Sequence, residues 1–382
     1  VSSPSNRASL TSNQGWRILK QLLSRIHPSH LDGRLVDTLA AMLSTMHPVV
    51  DVSAPASASP SAAESLSSLD FYAQCLRELL LGASLWLQAE IEVQLAVWAI
   101  ITGEIARFPA FFAGHFPPCF WLNHLRLYYW LPTASSLTGG GGNNSRSKIC
   151  LARSNMTLRS DPNFPLVRQA LIACLHATIR AGGALTVADM QAFCGYLAYP
   201  DEDVTGVYEL WIEVWLEGRM PAAVLQACHN SLLHLSLRYC SHDDERVRIA
   251  AFKLVTIGCT HPGAPKHFPL KPTDLLCMAE FPLHDAIYHC FWSLILHDVK
   301  WATKQWEADE MQTLVHVSVL KQLLHLASFH DVAWKVRILT DCIVLLSNNE
   351  DNCALFLQMQ GWQNSLLHLM LQHASLGEKK RR

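Results

Sequence analysis

Apolar side chains recur along this chain at the three-and-four spacing of a helix that buries one face. Phe164, Val167, Leu171, Cys174 and Thr178 step by 3, 4, 3 and 4. Leu225, Cys228, Leu232 and Leu235 do the same, as do Val247, Ala251, Leu254 and Gly258. Two later stripes follow, Val317-Leu320-Leu324-Ala327 and Val332-Val336-Leu339-Ile343-Leu346. Each series predicts one buried helical stripe. Thr186, Asp243 and Asp331 stand where helix N-caps belong, and Pro221 suits a first helical turn. No comparable stretch shows the two-residue alternation of a strand. Upstream, Gln14 to Ile26 and Leu31 to Met46 read as a short helix pair split by Pro28 and Ser29. Leu69 to Trp130 reads as two or three helices rich in aromatics.

Polar and small-residue stretches divide the chain. Val52 to Ser68 is almost entirely Ala, Ser and Pro and cannot bury enough apolar area to offset its ordering entropy, so a linker is expected. Thr133 to Asp161 holds the tract Gly139 to Gly142, then asparagines, serines and arginines, and is expected to be disordered. The resulting division is a helix pair over 1–51, a linker over 52–68 and a helical segment over 69–132. A disordered loop over 133–161, helical repeats over 162–374 and a basic tail over 375–382 complete it.

Repetition narrows the fold class. Val167-Arg168, Val247-Arg248-Ile249 and Val336-Arg337-Ile338 open apolar runs 80 and 89 residues apart. These intervals are about two units of the ~40–47 residues typical of armadillo and HEAT repeats. Such units bury their apolar faces only by stacking, so the expectation is an all-α, armadillo/HEAT-like α-solenoid with long disordered linkers. An irregular helical domain is the alternative.

Composition adds exclusions. Half of the 382 residues are hydrophobic and 16% are charged, against a disordered chain. Thirty basic and thirty-two acidic residues give a formal charge of −2, which carries no global footprint for nucleic acid. The uncharged run Val93 to Gly103 falls short of the ~20 apolar residues a helix needs to cross a bilayer. Phe108 to Leu125, which contains Pro109, Pro117 and Pro118, reads as a buried corner. The chain opens on Val1 with no basic-then-apolar leader, so a piece of a longer protein without a signal peptide is expected.

Candidate chemistry is thin. The twelve cysteines include no C-x-x-C pair, so a reduced, intracellular chain is expected. Cys228, His229, His234, Cys240 and His242 form the densest metal-like cluster, but twelve helical residues separate its thiols by ~18 Å. His284, His289 and Cys290 lack the zincin spacing. Asp201, Glu202 and Asp203 lack the ligand order of a calcium loop and read as a solvated cap. Gly139 to Gly142 has no following Lys-Ser or Lys-Thr to cradle phosphate. Asn143 and Asn155 head chance glycosylation sequons. Trp98, Trp121, Trp211, Trp215 and Trp292 lie in apolar runs and read as core. No catalytic, cofactor or metal site is therefore assigned, and no enzyme is expected.

Four ordered segments resemble one family. Leu122-Asn123-His124-Leu125-Arg126-Leu127-Tyr128-Tyr129-Trp130 is similar to a helix that ends in Tyr-Tyr-Trp before a variable loop. LTVADMQAFCGYLAYPDEDVTGVYELWIEVWL from Leu185 to Leu216, and VRIAAFKLVTI from Val247 to Ile257, follow in order. VRILTDCIVLLSNNEDNCALFLQMQG from Val336 to Gly361, then Trp362-Gln363, completes the set. Together, over roughly Leu85 to Gln372, they resemble the armadillo-like region that precedes the PH and BEACH domains of neurobeachin-type BEACH proteins. The Ala/Ser/Pro stretch before Ser68 has no recognised counterpart in the family, and the glycine tract is expected to be lineage-specific.

That resemblance implies a cytoplasmic protein-interaction scaffold in vesicle trafficking and protein localisation, peripherally attached to Golgi, endosomal or secretory membranes. Its implied partners are trafficking proteins and, through the full-length protein, the regulatory subunit of protein kinase A. No residue here matches a kinase-anchoring helix, so anchoring is assigned to none. The partner-binding residues are unknown at this stage. The alternative is direct peripheral membrane binding by the basic tail, Lys379, Lys380, Arg381 and Arg382, with exposed aromatics. A cryptic hydrolase is a third reading, for which no nucleophile and base pair up.

Overall fold

The structure, a computed structural model, describes residues 6, 9–10, 14–46, 69–87, 89–132, 156–158, 164–182, 185–198, 204–261, 275, 278 and 281–379. The linker expected over Val52 to Ser68, the glycine tract and the acidic cluster Asp201 to Asp203 lie outside them. The chain divides into two compact units, Val1–Gly183 and Ala184–Arg382.

In the first unit, α1 (Gly15–Leu23) and α2 (Gly33–Thr45) flank a short 3-10 turn at Pro28–His30. The Asp32 carboxylate caps α2 by accepting from the Leu35 N–H. Helix α3 (69–75) widens into a π turn at Leu76–Leu80, and α1 packs on that turn, with Trp16 against Phe71 and Lys20 paired with Glu78 at 3.2 Å. Then come α4 (Ala83–Trp86), α5 (Ile91–Arg107), α6 (Pro109–His115) and α7 (Pro118–Tyr129). Residues 69–130 thus hold five helical pieces rather than two or three. Two of the four breaks fall at prolines, Pro109 and Pro118, which suit a first helical position but not an interior one. Phe112, Phe116, Trp121, Leu122 and Leu125 are buried in the corner this makes.

Helix α8 (Phe164–Ala181) buries Val167, Leu171, Cys174 and Thr178 as its spacing predicts. It packs against α5, α6 and α7 of the first unit, so it does not group with the repeats that follow it in sequence. Within the loop expected to be disordered, Met156–Leu158 instead forms a strand antiparallel to Trp130–Pro132, with Leu131 opposite Thr157. Helix α7 therefore stops at Tyr129, one residue before the expected Trp. A three-residue ladder is too short to show the alternation that marks longer strands.

The second unit stacks α9 (Val187–Leu197), α10 (Val204–Leu216), α11 (Ala222–Tyr239), α12 (Glu245–Thr260) and α13 (Asp285–Leu296). Neighbouring layers touch in the order α9 on α11, α10 on α12, then α12 on α13. A 3-10 turn at Val299–Ala302 leads to α14 (Val317–Ser328), α15 (Val332–Ser347), α16 (Glu350–Gln358) and α17 (Trp362–Lys379). Helix α14 packs on α13, α15 and α17. The helices bury their faces against neighbours in the stack, as solenoid units must. Helices α12 and α13 sit mid-stack and are buried almost all round, from Leu254 to Thr260 and from Ile287 to Leu296. Gly258 belongs to that packing, since a Cβ there would stand 3.2 Å from Leu233 and from the Trp215 ring.

Thr186 forms a full capping box with Asp189. Asp331 accepts from the Trp334 N–H at 3.1 Å. At α12 the cap is Asp244, not Asp243, because the Asp244 carboxylate reaches the Arg246 N–H at 2.8 Å. The Asp243 carbonyl, with that of His242, is bound by the Arg248 guanidinium. Pro221 occupies the N-cap itself, one residue before the first turn. Helix α17 runs on to Lys379, so most of the expected tail is helical, while residues 380–382 lie outside the described residues. Its end, from Leu371 to Lys379, contains no proline to stop it.

Candidate functional site

The polar residues singled out by sequence do structural work. His229 is 2% exposed, Cys228 and Cys240 are buried, and His234 is solvent-facing, so the cluster does not converge. His242 accepts the Asp244 N–H and helps turn the chain into α12. His284 caps α13 by accepting the Ala286 N–H, and His289 accepts the Trp306 N–H at 3.2 Å. Among the described residues no group of three or more His, Cys, Asp or Glu is placed to hold a metal ion.

Thiol chemistry is suppressed by burial. Withdrawal from water pushes the thiols up to about 12 at Cys75, Cys290 and Cys342 and about 11 at Cys174 and Cys194. A thiolate nucleophile needs the opposite shift. The tryptophans also face inward. Trp98, Trp121, Trp211, Trp215 and Trp292 are core, and Trp292 stacks on Trp306 with ring centroids 4.1 Å apart. Phe329 is the one aromatic among the exposed large apolar side chains of the described residues. No single described helix is long and apolar enough to cross a membrane.

The feature that stands out is on α15. Its predicted stripe, Val332-Val336-Leu339-Ile343-Leu346, is not the buried one: Val336 is 57% and Ile343 63% exposed, and Val332 is exposed with them. The core face is set by Lys335, Ile338, Cys342 and Leu345, one position away. Two factors rotate the helix. Ile338, Cys342 and Leu345 form an equally apolar stripe, and Asp341 on the adjoining line accepts the hydroxyl of buried Tyr288. Arg337 then stacks over Tyr288 and Trp334 and pairs with Asp285 at 2.5 Å. The Val-Arg-Ile repeat is therefore not equivalent in the two helices, since Val247 is buried and Val336 is not.

Val332, Val336 and Ile343 fall on one line, about 16 Å long at 1.5 Å per residue. Phe329, the C-cap of α14, and Leu357, Leu367 and Met370 on α16 and α17 are also exposed. Exposed apolar side chains scattered singly are ordinary, whereas Val332, Val336 and Ile343 lie along a single line of one helix. Sequence periodicity found this line and assigned it to the wrong side.

One family model, described as the Neurobeachin/BDCP, DUF4704 alpha solenoid region, matches residues 1–381. No curated protein and no solved structure matches the chain.

Proposed function

The chain belongs to the Neurobeachin/BDCP alpha-solenoid family, and from that premise we propose that it is a non-catalytic protein-interaction region whose contact surface includes the outward apolar line of α15. The observation that carries this reading is the double amphipathicity of that helix: one apolar face is spent in the core and a second is presented to solvent. Its chemistry is surface complementarity, with Val332, Val336 and Ile343 as anchors that a partner withdraws from water. The wider setting we propose is that of a neurobeachin-type scaffold in vesicle trafficking and protein localisation, cytosolic with peripheral attachment to Golgi or endosomal membranes.

The test is comparative capture from cytosol with the 382-residue chain and with a Val336→Asp/Ile343→Asp variant. A defined set of proteins retained by the first and lost by the second is the expected result. Equal retention by both chains refutes the α15 surface. Retention of nothing from cytosol, with sedimentation on anionic vesicles, refutes the protein-interaction reading in favour of direct membrane binding.

A further inference from the structure

A cleft of about 440 Å³ opens in the second unit between α12, the start of α13, the segment after the 3-10 turn, and α15. Three cations line it, Lys253, Lys304 and Arg337, against a single carboxylate, Asp285. Neither lysine ammonium makes a hydrogen bond or ion pair among the described residues. Arg337 gives Nη1 to Asp285, and no other hydrogen bond from its guanidinium occurs among them. The guanidinium is held in place by the Tyr288 and Trp334 rings, 4.6 and 5.1 Å away, so its remaining donors are fixed before any ligand arrives.

The cleft also contains a nine-tenths buried donor. His289 is 9% exposed, and its Nδ1 accepts from the Trp306 N–H. The ring proton must then sit on Nε2, which has no hydrogen-bond partner among the described residues. Burial and the Arg337 charge hold this imidazole below its ordinary value, keeping that tautomer neutral. A fixed N–H, a fixed guanidinium and two uncommitted ammonium groups around one concavity form a site for an anion with several acceptor oxygens.

We propose that this cleft binds a phosphate monoester carried on a phosphorylated side chain of a partner protein. A phosphate monoester brings a charge of about −1.5 to −2 and three acceptor oxygens, which matches three cations offset by one carboxylate. A carboxylate would satisfy half of that charge. A polyanionic bilayer fits poorly, because recognition of anionic lipid draws on clusters of about four to eight basic residues. Here Asp285 lines the cleft, and Glu245 stands 3.6 Å from the lining residue His284. The origin of the phosphate on a protein rests on the interaction-region reading above, whereas the phosphate chemistry rests on the cleft alone.

The experiment is calorimetric titration of the 382-residue chain with N-acetyl-phosphoserine-N-methylamide, with its serine parent and glutamate analogue, and with phosphatidylcholine vesicles doped with phosphatidylinositol phosphate. One-to-one saturable binding of the phosphoserine probe is expected, about tenfold or more tighter than the glutamate analogue, with none by the serine parent. Lys253→Met and Lys304→Met each weaken it about tenfold, while Arg34→Gln in the first unit leaves it unchanged. Asp285→Asn tightens it, a gain that a damaged fold cannot produce. Absence of saturable binding, equal binding of the glutamate analogue, indifference to the lysine substitutions, weakening by Asp285→Asn, or binding to vesicles alone would each overturn the proposal. None of these readings depends on α15 capture, so the two proposals fail separately.

Discussion

Two isoleucines five residues apart on α15 make opposite predictions. Ile338 is fully buried and Ile343 is 63% exposed, so truncating each to alanine removes the same atoms from opposite faces of one helix. At Ile338 the loss of transfer free energy and the cavity left behind together cost about 3 kcal/mol, within the ~2–5 seen for buried isoleucine to alanine. At Ile343 only about a third of the side chain is withdrawn from water. Full burial contributes ~1.5–3 kcal/mol, so the loss there is ~0.5–1. Alanine's better helix propensity returns about 0.4 of this, leaving a net change within ~0.5 kcal/mol. Urea unfolding followed by far-ultraviolet circular dichroism reads both, as shifts in midpoint at unchanged slope. Equal losses at the two sites, or the larger loss at Ile343, would refute the orientation of α15 and with it the outward apolar line.

Other substitutions test the packing around the site. Asn352 is fully buried and donates to the Gln312 and Leu345 carbonyls while accepting the Leu314 N–H, at 2.8, 2.9 and 2.8 Å. At ~1 kcal/mol for each bond, Asn352→Ala costs about 3 kcal/mol in a urea titration, and a loss below ~1 would refute that role. Thr186→Ala dissolves the α9 capping box and lowers stability by ~1 kcal/mol, whereas Thr186→Ser restores most of it; equal melting of the two variants would contradict the cap. Burial holds the His229, His289 and His330 imidazoles below their ordinary value. The unfolded chain therefore takes up protons first as the pH falls below about 6.5, so the stability contribution is full above that pH and is lost as pH drops through the folded values. His229, whose ring nitrogens have no partner among the described residues, carries part of this, so His229→Leu raises the neutral-pH melting temperature and flattens its acid slope. A steeper acid slope in the variant would contradict it.

Helix existence was legible wherever one apolar line was much richer than its neighbours. On α8 and α14 the predicted lines through Leu171 and Leu324 are the buried ones. On α15 two lines were nearly equal in apolar content, and the choice between them was made by Tyr288, a residue on another helix that no periodicity within α15 can weigh. The cap of α12 failed for a related reason. Asp243 and Asp244 have the same chemistry, and only the reach of Arg248 back to the Asp243 carbonyl decides which carboxylate is left for the helix.

Grouping of helices was harder to read than their existence. The long interval before Asp161 suggested that α8 begins a new domain, yet its buried line faces α5, α6 and α7. Chain separation says little about packing when loop closure over tens of residues costs only slightly more than over a few. The cleft was legible only in fragments. His284 and His289 stand close together in sequence without a ligand spacing, while Lys253, Lys304 and Arg337 lie on three other segments and share no spacing.

The proposed role of α15 is to present its outward line to a partner protein. Photo-crosslinking tests it most directly, with benzoylphenylalanine placed at position 343 and, as a comparison, at position 34 on α2, and the chain exposed to cytosol under illumination. The expected result is a defined crosslinked protein from position 343 that is absent from position 34 and is competed away by excess unlabelled chain. No crosslink at 343 while the chain remains folded, or the same products from both positions, would contradict it.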